Sequence, residues 1–67
     1  MKQTPKLREQ RIRAGLTQAE LAKMMGVSRT TVGFVETGKY RASPGFRKKA
    51  LKALTQIIPK LTLDDIF

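Results

Sequence analysis

Apolar side chains recur along this chain in short bursts at helical rather than strand spacing, each burst opened by a capping residue and ended by glycine or proline. Thr4 followed by Pro5 predicts a first helix from about Pro5 to Ala14, because Thr can cap free amides and Pro tolerates the first helical position. Leu7, Arg11 and Ala14 fall on one face of it, Gly15 marks its end, and Leu16 is placed to fold back onto the last turn. Thr17 to Glu20 reads as a capping box that opens a second helix over about Gln18 to Met25. Gly26 stops that helix, Ser28 caps a third from Arg29 to about Thr37, and Gly38 ends the third. A basic loop, Lys39 to Ala42, then leads to Ser43 and Pro44, which open a fourth helix that Pro59 closes. Within it Phe46, Ala50, Ala53, Leu54 and Ile57 form one apolar stripe, which Leu51 and Ile58 widen to roughly 160°, more than a core alone needs. This pattern puts Phe46, Ala50, Leu54 and Ile57 inward. Thr62 caps a last turn, Leu63 to Ile66, in which Asp64 and Asp65 suit the positive helix start. With no strand signal, repeat or linker, residues 1–67 read as one all-α domain.

Charge changes this picture from a small helical domain to one with a partner. Fourteen Lys and Arg against five Asp and Glu give +9 on a 67-residue body, which repels itself and favours a polyanion, either nucleic acid or an anionic membrane surface. No apolar run approaches the roughly 20 residues of a spanning helix, and polar residues rather than a signal-peptide core follow Lys2, so a cytoplasmic protein is expected. The chain has neither Cys nor His. That removes disulfides, thiolate chemistry and the usual zinc ligands, and the scattered carboxylates suggest no catalytic site, so no enzyme, cofactor or metal is expected.

With Gln18 as the first position of a helix-turn-helix, Leu21, Met25, Val27, Val32 and Val35 fall where two crossing helices bury apolar groups. Ala22 is small where the helices cross, and Gly26 can take the positive φ of the turn. The stretch Leu7 to Lys39 closely resembles the lambda-repressor-like helix-turn-helix family, which includes Cro and the xenobiotic-response-element regulators. "GLTQAELA", "GVSR" and "ETGK" stand at family spacing, and the terminal "LTLDDIF" looks like the family's closing helix. The resemblance implies a five-helix domain that binds double-stranded operator DNA as a homodimer with its third helix in the major groove, acting as a transcriptional repressor or activator of the kind carried by phages and mobile elements. It also implies a partly buried ion pair between Arg11, on the inner face of the first helix, and Glu36, at the edge of the third helix's inner face. Between Pro44 and Leu61 the chain departs from the family, being a few residues longer and carrying Pro59 in place of a glycine turn.

On the third helix Val32 and Val35 point inward, so Thr30, Gly33, Phe34 and Thr37 point outward with Arg29 and Thr31 on the flanks. Arg29 can reach guanine O6 and N7 in a bidentate pair, or simply hold a phosphate. Thr30 and Thr31 can contact DNA or merely fill the first helical turn. Gly33, costly inside a helix, suits a close approach to DNA. Phe34 suits a thymine methyl, or else packs in part against a neighbouring helix or a partner. Gln18 begins the second helix, whose free amides make a phosphate site, and the resemblance sets this Gln against the DNA backbone. Lys39, Tyr40 and Arg41 lie in the loop where family members clamp the next phosphates, whereas Lys48, Lys49 and Lys52 read as a solvated face.

Surplus apolar groups near the C-terminal end, Leu51, Ile58, Ile66 and Phe67, are expected to form the dimer interface. Two competing readings remain open. An antitoxin or anti-repressor would use the fourth helix and tail to hold a partner protein. A basic amphipathic fourth helix on a membrane would need the very stripe that the core requires.

Overall fold

The computed structural model describes residues 5–67, so the predicted Thr4 cap lies outside the described residues. Five helices follow in chain order: α1 Pro5–Arg13, α2 Gln18–Met25, α3 Arg29–Glu36, α4 Pro44–Thr55 and α5 Leu63–Ile66. Among the described residues there is no strand, and the fold is all-α.

Local chemistry sets most of these boundaries. At α2 the Thr17 hydroxyl accepts the Glu20 amide at 3.0 Å while the Glu20 carboxylate accepts the Thr17 amide at 2.8 Å, so two orphan donors are satisfied reciprocally. Ser28 and Ser43 accept the amides of Thr31 and Phe46, each at 3.1 Å, at the starts of α3 and α4. At α5 the Asp65 carboxylate accepts both the Thr62 amide at 2.9 Å and the Thr62 hydroxyl at 3.1 Å, leaving the Asp65 amide to bond to the Thr62 carbonyl oxygen. Between α2 and α3 the chain reverses at Gly26, whose φ of 74° would strain any residue with a Cβ by about 1–2 kcal/mol. The Gly26 amide reaches Lys23 O at 3.3 Å and the Val27 amide reaches Ala22 O at 3.0 Å, the paired bonds that end a helix and aim the next one. Gly15 and Gly38 close α1 and α3 with equivalent bonds.

The core gathers Leu7 from α1, Leu21, Ala22 and Met25 from α2, Val32 and Val35 from α3, Phe46, Ala50, Ala53 and Leu54 from α4, and Ile66 from α5. Ala42 and Leu61 join it from the loops. α2 is the hub, packing on α3 and α4, while α1 closes over α3 and α5. This leaves one face of α3 clamped and the other turned away from the protein.

Two inward and outward assignments are reversed. α4 ends at Thr55, ahead of the Pro59 that was expected to close it, and the amides of Ile57 and Ile58 both bond back to Leu54 O, at 3.0 and 2.8 Å. The tightened turn breaks the helical progression of about 100° per residue, so Ile57, expected inward, is 43% exposed while Ile58 packs partly against the core. Pro59 has no N–H to offer the Thr55 carbonyl four residues back and its ring crowds that oxygen, so the helix cannot run on past this turn. Ile66, expected at the dimer interface, is wholly enclosed: α5 lies against α1 and drives this side chain into the core. None of the described helices is long and apolar enough to cross a membrane, and no cluster of metal-ligating side chains occurs among the described residues.

Candidate nucleic-acid interface

The α3 helix is held by its own buried side, where Val32, Val35 and Glu36 face the protein. Glu36 is only 5% exposed, and three groups satisfy it or its partner. Arg11 Nε donates to Glu36 Oε2 at 2.7 Å and Arg11 Nη2 to Oε1 at 3.1 Å, a two-pronged pair, while Arg11 Nη1 donates to Leu16 O at 2.9 Å. Gln18 Nε2 donates to the same Oε1 at 3.1 Å. One carboxylate thus ties α1, the start of α2 and α3 together, and fixes the Gln18 amide at the positive end of α2.

The Gln18 side chain also lies over Gly33. A Cβ at Gly33 would sit 3.5 Å from Gln18 Oε1, an ordinary van der Waals contact, so the protein's own packing does not require glycine there. Gly33→Ala is therefore expected to raise thermal stability by about 0.5–1 kcal/mol through helix propensity. The same substitution should weaken duplex DNA binding, because the backbone could no longer approach as closely. A melting curve and a duplex titration of the variant check both halves, and stabilisation with unchanged DNA affinity would remove Gly33 from the interface.

Arg29 and Thr30 are exposed at the N-terminal end of α3, and the Arg29 side chain makes no hydrogen bond or ion pair to another described residue. The Thr31 hydroxyl is engaged with Ser28 Oγ at 2.8 Å, within the cap. Thr37 is exposed, and its hydroxyl donates back to Gly33 O at 3.1 Å and Phe34 O at 3.2 Å. At the C-terminal end Phe34 is half-buried against Tyr40, with ring centroids 4.9 Å apart at 78°, and Lys39 Nζ stands 4.6 Å over the Phe34 ring. Tyr40 is 50% exposed and Arg41 is exposed beside it. Gln18, Arg29, Thr30, Gly33, Phe34, Thr37, Lys39 and Tyr40 thus belong to α3, to the loop that its end holds, or to the α2 residue lying on it.

The residues expected at a dimer interface are only partly available. Leu51, Ile58 and Phe67 are half-buried and pack on the core, Phe67 also meeting Phe46 edge-on at 6.3 Å with the Arg47 guanidinium 5.5 Å over its ring. The exposed apolar groups in this part of the chain are Ile57, which the sequence pattern places inward, and Leu63, which it does not assign to the interface. It also left unnoticed the Gln18 to Glu36 bond and the Phe34, Tyr40 and Lys39 cluster. An aromatic residue six positions after Phe34, across a helix-ending glycine, is the one sequence signal that could have suggested the latter.

A family model described as helix-turn-helix matches residues 7–55. An uncharacterised HTH-type transcriptional regulator of Archaeoglobus fulgidus is 40% identical over 60 residues, spanning 90% of this chain and 86% of its own. A second protein of that description and organism is 47% identical over 38 residues, 57% of this chain and 54% of its own. No solved structure matches the chain.

Proposed function

This chain belongs to the lambda-repressor-like helix-turn-helix family of DNA-binding transcriptional regulators, and we propose that it is a repressor that binds a palindromic operator as a homodimer, with α3 in the major groove. The observation carrying this reading is the two-sidedness of α3: Val32, Val35 and Glu36 lock it to the body while Arg29, Thr30 and Thr37 remain exposed on a body of charge +9. In this reading Arg29 reads a guanine edge, Thr30, Thr31, Gly33, Phe34 and Thr37 lie against the groove, and Gln18, Lys39, Tyr40 and Arg41 hold phosphates on either side. The whole of residues 1–67 acts as one DNA-binding domain.

Selection of bound sequences from a random duplex pool tests it. The expected product is a symmetric site whose half-sites lie about 34 Å apart, one DNA turn. An asymmetric single site would sink the homodimer, and no enrichment would sink sequence-specific binding. On the selected site, log affinity against log salt should fall with a slope approaching about −7, for about eight phosphates neutralised per dimer. Arg29→Ala should cost about 1–3 kcal/mol on that site and flatten the preference at one base pair, while Lys39→Ala should weaken selected and random duplexes alike. Equal effects of the two substitutions would make Arg29 a phosphate contact.

A second reading, a regulator that also holds an acidic partner protein, has one supporting observation. Between α2 and α4 a groove of about 190 Å³ is lined by Met24, Met25, Ala53 and Gln56 with Lys49 and Lys52 among them. Apolar contacts beside ammonium groups suit an acidic chain better than a phosphate backbone.

A further inference from the structure

We propose that Phe34 is a positioning residue: it holds Lys39 and Tyr40 for the phosphates beyond the end of α3 and does not itself read a base. The inference rests on α3 being the recognition helix and assigns the division of labour along it. Phe34 anchors the loop twice, through its backbone and through its ring. Its carbonyl oxygen accepts the amides of Lys39 at 2.8 Å and Tyr40 at 3.1 Å, so the loop is wound back onto the helix end. Its ring meets Tyr40 near perpendicular, the favoured arrangement of two aromatic quadrupoles, and takes the Lys39 ammonium at 4.6 Å from its centroid, inside the roughly 6 Å range of a cation–π contact.

A ring so occupied has little face left to offer a thymine methyl. What it does offer is order. Lysine has among the largest side-chain entropies to lose on binding, and one already seated on an aromatic face loses less of it when it meets a phosphate. Tyr40, braced by the same ring and 50% exposed, presents a phenol of the type that donates to phosphate oxygen. Base reading then falls to the N-terminal part of α3, at Arg29 and Thr30.

Phe34→Leu keeps apolar bulk and removes the quadrupole. It is expected to lower affinity for the selected duplex and for random duplex by the same factor, roughly two- to fivefold per protomer engaged, the worth of an exposed cation–π contact. The magnitude of the salt slope should drop by about one per protomer with the selected base preferences unchanged. Phe34→Tyr, which keeps a ring, should restore binding, and in a Lys39→Ala background Phe34→Leu should cost less than it does alone, since only its hold on Tyr40 then remains to be lost. Circular dichroism of each variant verifies the helical fold. A flattened preference at one base pair with unchanged random-duplex binding would make Phe34 a base reader and overturn the proposal, as would full affinity in Phe34→Leu, or losses that simply multiply with those of Lys39→Ala. If the unsubstituted protein bound no duplex at all, the recognition-helix reading itself would fall and this inference with it.

Discussion

Replacing Arg11 with alanine is expected to lower the unfolding free energy by about 3–5 kcal/mol, the cost of leaving a buried carboxylate without its charged partner. Glu36 sits between α1, α2 and α3 and would retain only the Gln18 amide at 3.1 Å. A chain of this length commands about 3–10 kcal/mol of stability in all, so the loss removes from about a third to the whole of it, and the melting temperature should fall by more than about 10 °C. Both partners replaced together, Arg11→Met with Glu36→Leu, should recover most of the loss, because two apolar groups leave no charge to desolvate. That doubly substituted protein makes a sharper comparison than either single one. It folds yet deprives Gln18 of its acceptor, so it should melt near the parent temperature while binding DNA more weakly. Urea unfolding followed by circular dichroism gives the first quantity and duplex titration the second. A loss below about 1 kcal/mol for Arg11→Ala would mean that this pair behaves like a solvated surface bridge.

The second large effect concerns assembly. Ile57→Asp combined with Leu63→Asp is expected to leave the helical fold intact, since both side chains are exposed, 43% and 42%. It should nonetheless reduce full-site affinity by about 10³-fold, from the range of specific operators toward that of non-specific duplex, because each protomer would then bind alone. Loss of concentration-dependent cooperativity in the titration, with sedimentation reporting monomer, would accompany it. Ile57 and Leu63, rather than the enclosed Ile66, carry the exposed apolar surface at this end of the protein. Leu51, Ile58 and Phe67, each half-buried on the core, supply at most their outer edges. If the variant kept both cooperativity and full-site affinity, this end of the protein would be ruled out as the interface of the proposed homodimer.

Much of this protein was legible along the chain because its helix ends are written in local chemistry. The capping box of Thr17 and Glu20, the serine caps at 28 and 43, and the glycines at 15, 26 and 38 each act within a few residues, so their pattern fixes boundaries without knowledge of the fold. The same holds for α3, where spacing alone separates Val32 and Val35 from Arg29 and Thr30. What the chain did not disclose depends on distances between elements. Periodicity carried α4 through Ile57, but the backbone tightened after Thr55 and turned that side chain to solvent. Composition made Ile66 look like surplus, yet α5 folds back over α1 and closes the core with it. The Phe34 ring reads as an outward-facing reader of DNA until the loop beyond Gly38 brings Tyr40 and Lys39 against it. Spacing along a helix sets which side a residue faces, but whether that side meets water, core or a neighbouring loop is decided only when the elements pack, because burial is a property of the contact and not of the residue.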